Sequence, residues 1–338
     1  QLARPEAEAP MLFEPAFLHE GVRVRVDAFQ RHGDRDTLIE VKSTTSVKQE
    51  HLWDCAIQTW VARGAGRNVT RIMLGHVDNR FVYRTEEDFQ GLLKLVDITT
   101  EVEALLPQIP GIVEELKRVT ADAMPAITTG GQCFDPYECP FLAHCRAAEP
   151  PGPDFPVDVL PRAGALVERL TKAGYLDLSD VPEAELQNAI QRRVAHATSS
   201  GTTFVSDELP HLLAAIAYPR AYLDFETITF VVPRWLGTRP FQQLPFQFSC
   251  HTDVHNGAMR HDAFLDVSGQ SPLLGFVEAL LRVVAGAESV IVWNQGFEGA
   301  RLRELAERFP QHADALLAIV DRMVDLLPMY RKHYYHRD

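Results

Sequence analysis

From Ala147 to Pro161 the chain reads AAEPPGPDFPVDVLP, and this stretch constrains its folding more than any other. Pro150, Pro151, Pro153, Pro156 and Pro161 remove backbone donors and disfavour helix, so the run reads as a linker between two separately folded parts. Each part must then bury its own apolar residues. With 338 residues, 46% of them hydrophobic, both have enough for a core. The predicted organisation is a domain over 1–146, the linker 147–161, a helical connecting module over 162–218 and a domain over 219–338.

Hydrophobic period sets the elements within these parts. Before the linker, strands are expected over Leu12–Phe17, Val22–Phe29 and Thr37–Lys42, then a helix over Glu50–Arg63 and a strand over Arg71–Val77. Asp97–Thr120 reads as helical, broken or kinked at Pro107 and Pro110. After the linker, Arg162–Ala173 and Pro182–Ala197 read as amphipathic helices. Strands are expected over Ala221–Phe225, Phe246–His251 and Met259–Leu265, then an apolar helix capped by Ser271-Pro272, a strand over Ser289–Trp293 and a helix over Phe297–Arg308. The class is α/β. Three strands, helix, strand, helix is the order of a ribonuclease H-like mixed sheet.

A formal charge of −13 argues against coating nucleic acid by counterion release alone, yet leaves room for a local groove of Arg and Lys. No stretch approaches the roughly 20 apolar residues of a membrane span. The opening Gln1-Leu2-Ala3-Arg4 is neither an initiator methionine nor a signal peptide. The expectation is a cytoplasmic protein without membrane contact, and a piece of a longer chain, since His333–Asp338 stops within a polar and aromatic run. Without a secretory signal, the cluster Cys133, Cys139 and Cys145 is expected to bind metal or an iron–sulfur cluster rather than to form disulfides. Cys55 and Cys250 stand alone and read as small buried residues.

Two sets of polar residues carry chemistry. In the first, Glu40 and Lys42 share a strand face because residues two apart point the same way, and a hairpin partner brings Asp27 beside them. Carboxylates are hard ligands suited to Mg²⁺ or Mn²⁺, which hydrolysis of a phosphodiester needs, while Lys42 holds the attacking water or a phosphate oxygen. In the following helix Trp53, Ile57, Trp60 and Val61 form an apolar face with Gln58 beside it. In the second set, Asp224 and Glu226 lie on one face at the end of a strand, and Asn294 and Glu298 follow another strand and open a helix, as D-F-E and N-Q-G-F-E. Unpaired acids there are costly unless a cation holds them.

Asp27, the pair Glu40 and Lys42 in IEVKS, and Gln58 in AIQTW resemble the RecB-like branch of the PD-(D/E)XK nucleases. The resemblance implies a restriction-endonuclease-like αβββαβ core, with Glu14 as a loosely matching upstream acid. Its Q-x-x-x-Y element departs here, with Ala62 four residues after Gln58 and Trp60 as the substitute aromatic. Members of this branch with a 4Fe-4S cluster carry three Cys after the nuclease core and one far upstream, so the resemblance implies Cys133, Cys139 and Cys145 as cluster ligands. A structural Zn²⁺ site with His144 as fourth ligand is the alternative. The second set resembles the DEDD exonucleases, with Glu298 where they usually have Asp. Asp325 in MVDLLPMY follows too soon to be their third acid, and Asp338 has no helix around it, so that acid is expected beyond the last residue.

YLDFETI and WNQGFEGARLRELAERFP are similar to bacterial proteins that join a RecB-like nuclease domain to a DEDD-type domain. The implied function is a metal-dependent nuclease acting on DNA, or less readily RNA, at single-stranded ends. In the loop between, Trp235, Arg239 and Gln243 are candidates for stacking bases and holding phosphates. The rival reading is a nucleic-acid-binding or scaffold protein whose catalytic sites have decayed.

Overall fold

The first two apolar runs form one long, bent hairpin. In this computed structural model, which describes residues 10–255 and 257–337, its arms are β1 (Met11–Phe13) with β2 (Ala16–His19), and β3 (Val22–Arg25) with β4 (Ala28–His32). Met11 faces Gln30 and Ala16 faces Arg25, so one register runs through both ladders. The break falls where Glu14 adopts a left-handed backbone (φ 55°). There the Glu14 N–H donates to the Asp27 carbonyl at 3.0 Å and the Val26 N–H to the Pro15 carbonyl at 3.1 Å. The continuous strands expected over Leu12–Phe17 and Val22–Phe29 therefore each divide, because Pro15 has no N–H to extend the ladder.

β5 (Arg35–Lys42), α1 (Gln49–Gly64), β6 (Val69–Val77) and β7 (Leu93–Asp97) complete a five-stranded sheet of order β1-β4-β5-β6-β7. β4 and β5 are antiparallel, β5 and β6 are parallel with α1 as the crossover, and β7 is an antiparallel edge. Cys55, Ala56, Thr59 and Ala62 are wholly buried, and their small side chains let α1 lie close to its neighbours. The larger Trp53, Ile57 and Trp60 pack only partly buried around them, so the buried stripe is rotated from the expected face. Trp60 meets His19 edge-on at 4.7 Å. A side chain at Gly64 would collide with the same His19 ring, so β2 reaches the helix only over a glycine. α2 (Thr99–Leu105) and α3 (Ile109–Ala121) are separated by a 3-10 turn over Leu106–Gln108, the interruption that Pro107 and Pro110 predict.

These elements form one compact unit, Gln1–Ile127 together with Thr229–Gln242. Its core holds Phe29, Leu38, Ile72, Leu74 and Ile98. The segment 229–242 is fixed by the Tyr83 N–H donating to the Thr238 carbonyl at 3.0 Å and the Gly237 N–H to the Tyr83 carbonyl at 2.6 Å.

The second unit comprises Thr128–Ile228 and Gln243–Asp338, so the division by contacts falls before the proline-rich stretch. It begins with α4 (Leu142–Ala147), α5 (Gly164–Lys172), α6 (Ala189–Ser200), the two-residue β8 (Phe204–Val205) and α7 (Glu208–Ala214). The helix expected from Pro182 starts at Ala189, because the Asn188 side chain accepts the Gln191 N–H at 3.0 Å as an N-cap. Then come β9 (Arg220–Ile228), β10 (Leu244–Asp253), β11 (Met259–Leu265), α8 (Leu273–Val284), β12 (Ser289–Val292), α9 (Gln295–Arg308), α10 (Ala313–Asp321), β13 (Met323–Asp325), α11 (Leu326–His333) and β14 (Tyr334–Tyr335). The main sheet has the order β11-β10-β9-β12-β13, with β10 antiparallel to both neighbours and β9, β12 and β13 parallel.

Alternation along β9 decides what this sheet presents. Leu223 and Phe225 are buried, and Phe225 meets Phe276 of α8, whose ring also contacts Phe248 and Phe264. Asp224 and Glu226 consequently lie on the opposite, exposed face. Both units are mixed α/β. Among the described residues no helix is long and apolar enough to cross a membrane.

Candidate active sites

In the first unit, the bend between β3 and β4, the end of β5 and α1 converge. Leu38, Glu40 and Lys42 share the face of β5 toward α1, and Glu40 is only 5% exposed. Ala28 pairs with Ile39, so the next position along places Asp27 opposite Glu40. Asp27 is held there by the Val41 N–H, which donates to its Oδ2 at 2.8 Å. Lys42 Nζ donates to Glu40 Oε1 at 2.7 Å and to Asp54 Oδ2 at 2.5 Å. Gln58, buried one turn further along α1, donates from Nε2 to Asp54 Oδ1 at 3.1 Å. The structure thus joins Asp27, Glu40, Lys42 and Gln58 and adds Asp54, which sequence reasoning missed. Its signal was present: Asp54 precedes Gln58 by four residues, and so shares its face of the helix.

Burial pushes the Glu40 carboxyl above its ordinary pKa, the Lys42 and Gln58 hydrogen bonds pull it back, and the charge of Asp27 adds to the rise. Burial works against the Lys42 charge as well, but hydrogen bonds to Asp54 and Glu40 outweigh it, and the ammonium is held above its usual range. Glu40 Oε2 and Gln58 Oε1 are buried and have no hydrogen-bond partner among the described residues. Glu14 adjoins Asp27 through its backbone, while its side chain is ion-paired with the exposed Arg25 at 2.6 Å. Trp60 is taken up by His19.

In the second unit, Asp224 lies near the middle of the sheet, between β10 and β12. β12 ends beside it, and Asn294 takes a left-handed backbone (φ 82°) that turns the chain into α9. Asn is among the few residues that accept that conformation readily. This brings Glu298, one turn into α9 and 3% exposed, into the field of Asp224 and Asp325. Burial raises its pKa most, the hydrogen bond to its own backbone opposes, and the two neighbouring charges add, pushing the group up to about 7. Glu298 Oε2 is also buried without a partner among the described residues.

Asp325 follows the second motif so closely that spacing alone sets it aside, yet the fold brings it in. It ends β13, where Val292 pairs with it, and it accepts the N–H groups of Asn294 (3.0 Å), Gln295 (3.0 Å) and Leu327 (2.9 Å). It is therefore both the clamp on the start of α9 and a third acid of the cluster. Glu226 lies two residues beyond Asp224 on the same face, opposite Gln247. The acidic charges that Glu298 feels are those of Asp224 and Asp325. Asp338 lies outside the described residues.

Cys133, Cys139 and Cys145 are all free thiols. They sit on a segment whose ends are clasped by the Glu149 carboxylate, which accepts both the N–H and the hydroxyl of Thr129. The Cys139 N–H donates to the Cys133 carbonyl at 2.7 Å, and the Cys145 N–H to that of Phe141 at 3.0 Å. His144 and Cys145 are consecutive in α4, about 100° apart around the helix, so the two do not share a face. Among the described residues no group of three or more His, Cys, Asp or Glu is drawn close enough to hold an ion.

The candidate nucleic-acid residues fall into both units. Trp235 and Arg239 belong to the segment that packs with the first unit, while Gln243 belongs to the second. There its amide oxygen accepts from the Arg301 guanidinium. Trp235 meets Phe230 at 5.4 Å.

Residues 221–338 match a protein family described as a domain of unknown function (DUF2779). The matched stretch opens on β9 and contains Asp224, Glu298 and Asp325. No curated protein and no solved structure matches the chain.

Proposed function

We propose that the chain is a metal-dependent nuclease, hydrolysing phosphodiester bonds of DNA or RNA at strand ends, with two separate acidic centres. What carries this reading is that each centre buries a carboxylate with one oxygen lacking a partner, Glu40 Oε2 in one and Glu298 Oε2 in the other. Leaving such an oxygen unsatisfied costs about 1–3 kcal/mol or more, and a cation removes that cost. Every candidate ligand is a carboxylate oxygen, the donor type that a hard divalent ion takes, although among the described residues no three of them stand close enough to hold one without moving. Asp27, Glu40 and Asp54 would hold it in the first centre, and Asp224, Glu298 and Asp325, with Glu226 alongside, in the second. Bound Mg²⁺ or Mn²⁺ supplies a Lewis acid and a water of lowered pKa.

The chain's own groups do the rest. Lys42 keeps its proton and directs an ammonium at the Glu40 side, positioned to hold a phosphate oxygen or the attacking water. Gln58 fixes Asp54 and Asn294 sets the approach of α9. Strand order supports the same reading. β11-β10-β9-β12-β13 with one antiparallel insertion is a ribonuclease H-like order, and a meander followed by the α1 crossover suits a restriction-endonuclease-like core. We assign Cys133, Cys139 and Cys145, free thiols on one segment clasped by Glu149 and Thr129, as three ligands of a 4Fe-4S cluster.

One observation favours the rival reading of a nucleic-acid-binding protein with decayed centres: Asp325 is already engaged by three backbone donors. Hydrolysis separates the two. With Mn²⁺ and end-labelled single strands, the native chain is expected to release short products. Glu40→Gln combined with Asp224→Asn should abolish them. Strands left intact by the native chain would overturn the nuclease reading.

A further inference from the structure

We infer that a groove of about 1080 Å³ in the second unit binds a single nucleic-acid strand and leads it to the Asp224–Glu298–Asp325 cluster. The assignment deepens the nuclease reading and rests on it for the hydrolysis of the bound strand. One wall carries Arg162 and the start of α6. The other carries Trp293, Tyr330, Arg331 and Tyr334. Three of these rings succeed one another, with Trp293 and Tyr330 centred 5.5 Å apart and Tyr330 and Tyr334 5.7 Å apart.

Three observations select the occupant. The first is charge. The chain has 46 Asp and Glu against 33 Lys and Arg, yet among the described residues no carboxylate lines this groove, whereas Arg162 and Arg331 do. Both arginines are exposed, and neither guanidinium has a partner among the described residues. An acid-free cationic groove on an acidic protein suits a polyanion. The second is the series of rings. Trp293 is 54% exposed and Tyr334 37%, which leaves aromatic surface to water at some cost unless bases stack on it. The third is continuity with the cluster. Trp293 precedes Asn294, and the groove residue Leu327 donates its N–H to Asp325. A strand stacked on Trp293 therefore has its end beside the carboxylates. Rings arranged in series take unpaired bases, whose faces a duplex keeps covered.

Fluorescence anisotropy of a labelled single-stranded oligonucleotide, measured in EDTA so that no hydrolysis intervenes, tests the assignment. DNA and RNA of one sequence form parallel arms, with blunt duplex as the comparison. Tyr330→Ala and Arg331→Glu should each weaken single-strand binding about tenfold or more. Arg162→Glu, an exposed substitution on the opposite wall, should weaken it too. Unchanged affinity in Arg162→Glu and Arg331→Glu together, absent binding by the native chain, or equal affinity for duplex overturns the groove. Tight groove-dependent binding by a chain that never cleaves would sink the nuclease reading and leave the groove standing. Cleavage undiminished in the groove variants would do the reverse.

Discussion

In a chain whose second centre is silenced by Asp224→Asn, replacing Lys42 by alanine is expected to lower the remaining hydrolysis rate by about 10²- to 10³-fold, the usual effect of deleting one preorganised stabilising group. The silenced background matters, because an intact second centre would mask the loss. Lys42 is the sole cation bonded to both Glu40 and Asp54 among the described residues. Its removal leaves Glu40 buried without a counter-charge, so its carboxyl should take up a proton at higher pH than before. Unfolding temperature, recorded alongside the rate, separates lost chemistry from lost fold. A Lys42→Ala chain that cleaves at the parent rate would remove this residue from the mechanism.

Glu298→Gln should stabilise the metal-free second unit at alkaline pH while destroying its hydrolysis. Glu298 titrates near 7 in the fold against an ordinary value of 4.5. Between those values the folded chain holds a proton that the unfolded chain has released. Stability linked to this group is therefore complete below about 4.5 and is lost as the pH rises through about 7. At pH 8 an ionised Glu298, buried and beside Asp224 and Asp325, costs on the order of 3–4 kcal/mol, since one pKa unit is about 1.4 kcal/mol and the rise from 4.5 to about 7 is about 2.5. The amide cannot ionise, so the variant should unfold roughly 5–10 °C higher than the native chain at pH 8 in EDTA and at nearly the same temperature at pH 4.5. A difference of equal size at both pH values would contradict the assigned cause. Divalent ion should reverse the order at pH 8, because it binds the native cluster and stabilises it by mass action.

What could be read from the sequence depends on the range of the interactions concerned. Glu40 with Lys42, and Asp224 with Glu226, are legible because the strand period of two puts each pair on one face wherever the strand lies. Asn294 and Glu298 are legible because an apolar strand ends just before them. Asp325 is not, since Met323–Asp325 is too short to show a period and reaches the cluster only through parallel pairing with β12. Asp54 has no motif of its own, although its spacing from Gln58 points inward. The bend at Glu14 and Asp27 is hidden because both arms of the hairpin keep their alternation across it. Gln243 reads as a ligand-binding amide, but its partner, Arg301, is distant in sequence and packs against it only in the folded unit.

The most direct test of two separate carboxylate centres is a calorimetric titration of the full chain with Mn²⁺, repeated for Glu40→Gln, Asp224→Asn and both together. Two independent sets of sites are expected, each substitution removing one set and leaving the other's affinity unchanged, and the double variant binding no ion. An isotherm that neither substitution alters, or one that a single substitution abolishes entirely, would contradict the account.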